Sequence, residues 1–328
     1  MKQFLLSILS LFLVSLAAVA VLGGLAVHHY LSPGELQESK LVLIERGNGV
    51  STIAAKLEAE NVISQPLLFK AVNFFGASLK AGEYEFPAYA SMAQVVTKMQ
   101  EGDVFDRKIT IPEGLTSYQI VKLLNARDDL SGEVETIPPE GSLLPDTYHF
   151  VSGETRAEKI AQMQQAMKEA IDKLWEMRAE DLPIKTKTEA IILASIVEKE
   201  TGVAAERERV AGVFINRLRK GIALQTDPTV IYALTKGKIQ EEGKGPLGRR
   251  LLRKDLEVNS PYNTYKNAGL PPGPIANPGY AAIKATLNPE QHDYIYFVAD
   301  GTGGHVFSKT LAEHNKNAAK WRQIRKNN

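Results

Sequence analysis

Two carboxylates stand at the end of a strongly apolar run. Ile191-Ile192-Leu193-Ala194-Ser195-Ile196-Val197 is followed by Glu198-Lys199-Glu200-Thr201, and the polar motif Gln225-Thr226-Asp227-Pro228 comes about two dozen residues later. A carboxyl delivered on an apolar helix end is desolvated, which disfavours its ionised form and raises its pKa. The chemistry this suits is general-acid catalysis of bond cleavage near neutral pH. Helical spacing separates the two candidates. Glu200 shares a face with Val197, Ile196 and Leu193, whereas Glu198 shares one with Ser195, Ala194 and Ile191, a smaller and more polar stripe suited to a structural role. Glu200 is therefore the expected acid; the competing reading is that both glutamates merely end a buried helix in solvent.

Other polar groups fall into two sets. Thr226-Asp227-Pro228 is a helix-start signal, with Asp227 expected to cap and Pro228 to open the helix, although Asp227 also suits the partner carboxylate of a hydrolase. The segments 259–265 and 269–279 combine Pro and Gly, which fix loop backbone, with Tyr, Asn and Thr, which offer stacking faces and hydrogen bonds. That is the composition of a sugar-binding groove, and loop packing alone accounts for it equally well. Gln225, Thr226, Asp227, Tyr232, Asn263 and Tyr265 are the expected substrate contacts and orienting groups. Ser195 lacks a His with a supporting carboxylate and is not expected to be a nucleophile. His305, beside Gly303-Gly304, reads as a turn or packing residue, and none of the six His has metal-ligand spacing. No metal and no cofactor are expected.

These residues must be positioned by a chain of 328 residues with 44% hydrophobic and 23% charged content, enough for about two domains with a buried core each. A net charge of +1 and the lack of an Arg/Lys cluster interleaved with aromatics exclude a nucleic-acid partner. Without cysteine there is no disulfide framework, thiolate nucleophile or zinc-thiolate site. Phe4 to Val27 is 24 residues without a charge, long enough to cross a bilayer as a helix. Only Lys2 and the amino terminus are positive before it, which predicts a cytoplasmic stub (1–3), a transmembrane anchor (4–27), a linker (28–40) and an exported body. Ala18-Val19-Ala20 has the form of a cleavage site and keeps a signal peptide open as the alternative.

The body reads as mixed α+β. Leu41-Val42-Leu43-Ile44, a turn at Arg46–Gly49 and an amphipathic segment from Val50 predict strand, turn and helix. The pattern returns 67 residues later, where Ile111, Gly114, Ile120 and Leu124 match Ile44, Gly47, Ile53 and Leu57. Such matches arise by duplication or by convergence on a common unit. With a helix at 67–75, a strand at 81–86 and a helix at 91–100, residues 41–105 form a small α+β module. It resembles the LysM-type fold, in which a strand, two helices and a second strand bind N-acetylated sugars; a spacer of the same fold is the alternative. Residues 106–328 form the larger mixed α+β domain, with helices expected at 157–178, 188–200 and 204–220, a strand at 294–298 and a last helix from Thr310. The segment 140–150 reads as a surface loop near the site, or as a turn that buries Tyr148 and Phe150. Residues 236–254, rich in Gly and basic residues, read as a lid or hairpin or as a solvated charged loop.

Several strings, in this order, resemble the MltG (YceG-like) family of endolytic murein transglycosylases. They are Pro145-Asp146-Thr147-Tyr148, Ala194–Thr201, Phe214-Ile215-Asn216-Arg217-Leu218, Leu224–Tyr232, Tyr262-Asn263-Thr264-Tyr265, Gly269–Ile275 and Tyr296–His305, preceded by the N-terminal anchor. The segment 236–250 is longer than the resemblance implies. The resemblance implies an inner-membrane, single-pass enzyme with its catalytic domain on the periplasmic side. It would cut nascent peptidoglycan strands internally between N-acetylmuramic acid and N-acetylglucosamine, leave 1,6-anhydro ends, and so limit strand length. Its catalytic glutamate falls on Glu200, and Thr201 matches the Ser or Thr that follows the acid in other lytic transglycosylases. The implied partners are glycan strands and the membrane, with peptidoglycan synthases as candidate protein partners. A hydrolase using water and a noncatalytic glycan-binding scaffold are the alternatives.

Overall fold

A computed structural model describes residues 2–74, 76, 78–238 and 246–327. The chain divides into two compact units, Met1–Lys108 with His149–Gly153, and Ile109–Tyr148 with Glu154–Asn328. The fold class is α+β, as expected: eleven α-helices and three two-stranded sheets among the described residues.

The first unit begins with helix α1, Lys2–Leu31, whose segment Leu6–Leu31 is apolar, unburied and long enough for one membrane crossing. Then come β1 (Lys40–Ile44), α2 (Val50–Ala59), α3 (Pro66–Phe74), β2 (Gly82–Phe86) and α4 (Met92–Glu101). Phe75, expected to end α3, lies outside the described residues. Strands β1 and β2 pair antiparallel, Lys40 opposite Phe86 and Ile44 opposite Gly82. Alternation puts Val42, Ile44, Tyr84 and Phe86 on one buried face, against Leu57, Phe69, Val95 and Met99 of the helices. Ser91 starts α4 with a reciprocal capping box to Gln94, and Gly102 ends it in the left-handed region at φ 74°.

The second unit contains α5 (Ser117–Asn125), α6 (Arg156–Glu176), α7 (Lys187–Glu200), α8 (Arg207–Arg219), α9 (Asp227–Thr235), α10 (Tyr280–Leu287) and α11 (Leu311–Asn327). Strands β3 (Arg107–Thr110) and β4 (Thr147–Phe150) carry the chain between the units, and β5 (Tyr296–Ala299) pairs antiparallel with β6 (His305–Ser308). Helix α7 is the centre of this unit. Every residue from Ile192 to Val197 is buried, so its apolar surface is continuous, and α6, α8, α9 and α10 pack around it. Ser195 is fully buried; its Oγ donates to Ile192 O at 2.7 Å and accepts from Ile275 N at 3.0 Å, a structural use.

The repeat noticed in the sequence extends into geometry. Strands β1 and β3, and helices α2 and α5, begin 67 residues apart, and Gly47 and Gly114 hold the matching turns at φ 88° and 74°. At an offset of 64 residues, Tyr84 and Tyr148 each donate a hydroxyl bond to the carbonyl four residues back, Lys80 O at 2.7 Å and Leu144 O at 2.6 Å. Ser91 and Thr155, also 64 apart, each form a capping box. Residues 147–150 are thus a strand that buries Tyr148 and Phe150 rather than a surface loop. Among the described residues of 236–254 no strand forms; Arg249 forks onto the buried Asp255 at 2.7 and 2.9 Å, and 239–245 lie outside the described residues.

Candidate active site

Helix α7 ends where its apolar face runs out. Thr201 takes extended backbone (φ −140°, ψ 126°), and its Oγ1 accepts the Val203 amide at 3.0 Å, turning the chain away and leaving Glu200 as the last helical side chain. Glu200 lines a cavity of about 470 Å³ walled by residues of α7, α8, α9, β5 and α11 and by the loops before α9 and around Tyr265. Burial first, and then the Asp227 carboxylate, raise its pKa from 4.5 to about 7. Glu198 does not line the cavity. Its Oε2 accepts the Gly279 amide at 3.0 Å, and burial, opposed by that bond and reinforced by Glu113, lifts its pKa.

The helix start expected at 226–228 is present one residue out of register. Thr226 is the N-cap, without a side-chain capping bond, and Asp227 and Pro228 lie in the first turn. Asp227 Oδ1 accepts the Tyr265 hydroxyl at 2.7 Å. Burial, Asp227 and Glu200 all push the Tyr265 phenol up, so it stays protonated and can donate. Gln225 adopts the left-handed region at φ 53°, donating its amide to Thr264 O at 3.1 Å and accepting Arg217 Nη2 on Oε1 at 2.6 Å. Thr226 is 2% exposed; its amide donates to Thr264 Oγ1 at 3.1 Å, and its own Oγ1 has no partner among the described residues.

Four of the six expected contacts, Gln225, Thr226, Asp227 and Tyr265, line the cavity beside Glu200. Tyr232 and Asn263 are not among the lining residues. Tyr232 packs on Tyr262 with centroids 4.9 Å apart and hydrogen-bonds Glu140, whose carboxyl burial raises. Asn263 is fully buried: Nδ2 donates to Leu256 O and Val258 O at 2.8 and 2.9 Å, and Oδ1 accepts the Tyr265 amide at 3.0 Å. It shapes the loop that presents Tyr265. A substrate contact requires free donors and acceptors, and those of Asn263 are spent on backbone.

The sequence did not single out Arg217, Tyr296, Phe297 or His314, which also line the cavity. Arg217 is 7% exposed, with Nε on Ala223 O at 2.9 Å, Nη1 on Ile295 O at 3.2 Å and its guanidinium over the Tyr296 ring at 5.6 Å. Phe-Ile-Asn-Arg-Leu and the Tyr-Phe of β5 were visible as motifs, but a buried cation reads as packing until its helix is placed. His305 does not line the cavity; Nδ1 and its amide bond Glu206 at 2.7 and 2.9 Å, which fits the turn role expected of it.

A model of the YceG-like family matches residues 42–320. The chain belongs to the YceG-like family. It is 35% identical over 312 residues to the endolytic murein transglycosylase of Bacillus subtilis, covering 85% of this chain and 83% of that protein. It is 29% identical over 373 residues to the endolytic murein transglycosylase of Streptococcus pneumoniae, covering 97% of this chain but 65% of that longer protein. A crystal structure of a yceG-like protein from Listeria monocytogenes superposes with TM-score 0.51 at 36% identity, covering 85% of this chain and 99% of that one.

Proposed function

We propose that this chain is an endolytic peptidoglycan lytic transglycosylase with Glu200 as its single acid–base group. The names of the relatives support the reaction class and substrate, and the raised pKa of Glu200 in a cavity supports the residue. Glu200, neutral, protonates the glycosidic oxygen between N-acetylmuramic acid and N-acetylglucosamine while the C1–O bond breaks through an oxocarbenium-like state. As carboxylate it then takes the proton of the muramoyl C6 hydroxyl, whose oxygen closes on C1 to give the 1,6-anhydro end. An intramolecular nucleophile has high effective concentration, so a second catalytic carboxylate is dispensable. Asp227 favours the alternative of a water-using hydrolase, since it is close enough to raise the pKa of Glu200; its engagement by Tyr265 argues for a positioning role.

Helix α1 supports a single-pass inner-membrane anchor with the body on the periplasmic side, where nascent strands are cut and their length limited. The strand–helix–helix–strand order of the first unit supports a LysM-like accessory module at 41–105, with 106–328 as the catalytic domain. Digestion of purified strands followed by mass spectrometry tests the reaction: anhydro-muramoyl ends support it, hydrated reducing ends identify the hydrolase, and no cleavage identifies a binding scaffold.

A further inference from the structure

The wall that α11 contributes to the cavity is not used by the acid–base step. His314 reaches it from the second turn of that helix, stacked on Tyr296 with ring centroids 5.1 Å apart and planes at 24°. Its Nδ1 is enclosed and has no hydrogen-bond partner among the described residues. Burial, and then the Arg217 charge, lower its pKa, so the ring is neutral at pH 7. A second cation here would stabilise ionised Glu200 and work against the acid; a neutral imidazole avoids that and still offers one N–H. With no acceptor facing Nδ1, an N–H there would be wasted, and the proton belongs on Nε2. The apolar side chains Phe214, Leu224 and Phe297 line the same cavity.

An acetamido group presents one carbonyl acceptor, one N–H donor and one methyl. We propose that His314 reads the acetamido group of a sugar bound at the cleavage site, donating its Nε2–H to the carbonyl, with the methyl against the apolar wall. This rests on the reading of the cavity as a glycan-cleaving site and adds the feature of the sugar that the site demands.

The test measures kcat and KM for the wild type, H314A, H314F and H314Q on glycan strands and on the same strands chemically de-N-acetylated. His314 is expected to act through a lost hydrogen bond of about 3- to 10-fold in kcat/KM on acetylated strands in H314A and H314F. Their penalty for de-N-acetylation should shrink by the same factor relative to the wild type, because coupled partners are not additive. H314F keeps an aromatic ring on Tyr296 and separates packing from donation, and H314Q, which retains an N–H, should recover part of the loss. A wild-type penalty retained in H314A, or full activity in H314F, would overturn the assignment. A wild type that cuts neither substrate would overturn the glycan-cleaving reading beneath it, and one that cuts both equally would overturn the acetamido reading alone.

Discussion

At an ordinary carboxyl pKa of 4.5, about one Glu200 in three hundred would carry a proton at pH 7; at about 7, half do. The surroundings of one residue therefore change the supply of active acid by two orders of magnitude. Because the proton must be present when substrate binds, kcat/KM should be level below about pH 6 and fall tenfold per pH unit above about 8. A profile that stays flat to pH 9 would contradict the assignment. The raised pKa also has a cost in stability, and its sign is fixed. Between 4.5 and about 7 the folded protein holds a proton that the unfolded chain has released, so stability falls as pH rises through that window, by about 3 kcal/mol in all. Glu200→Gln removes the titration. In urea unfolding, wild type should therefore lose stability relative to the variant between pH 4.5 and 7, by up to that amount, and a constant difference across the range would show that Glu200 is not desolvated.

Among the elements, helix α7 carries the argument, and much of it was legible in the sequence. A seven-residue run whose one polar member is Ser195 requires a helix covered on nearly all sides, and the face bearing Leu193, Ile196 and Val197 is the one that carries Glu200 to the cavity, whereas Glu198 is not among its lining residues. What remained hidden depends on contacts between distant segments. Thr226 rather than Asp227 stands at the N-cap position, without a side-chain capping bond, and the Asp227 side chain accepts the hydroxyl of a tyrosine 38 residues away. Tyr232 and Asn263 have the chemistry of sugar contacts but spend it on Glu140 and on loop carbonyls, and only the three-dimensional placement distinguishes the two uses. Ser195 illustrates the rigidity that results, since its hydroxyl ties α7 to the Ile275 amide in a fully buried place. Ser195→Val leaves that amide unpaired and should lower the stability of the protein by about 1–3 kcal/mol. Denaturant titration with an unchanged midpoint would show that the tie is dispensable.

For the whole molecule, the two units have separate cores, and the site described lies wholly within the second. The capping boxes, the paired tyrosine hydroxyl bonds and the two turn glycines recur across both, which favours duplication of one strand–helix unit over convergence. Helix α1 packs its last turn near this first core while the rest of its apolar surface is exposed, so its removal should release the protein from membranes without abolishing cleavage. Deletion of residues 2–27 is predicted to leave an active protein in the soluble fraction, measured by fractionation and by digestion of purified strands. A truncated protein that stays with membranes would place the anchor elsewhere.

The central claim is that one desolvated carboxyl both gives and takes the proton. Mass spectrometry of strand ends after digestion by the full-length wild type and by Glu200→Gln measures this directly. The account predicts 1,6-anhydro-muramoyl ends from the wild type and a loss of about 10²- to 10⁴-fold in their rate of formation in the variant. Undiminished anhydro ends from Glu200→Gln, or hydrated ends from the wild type, would contradict it.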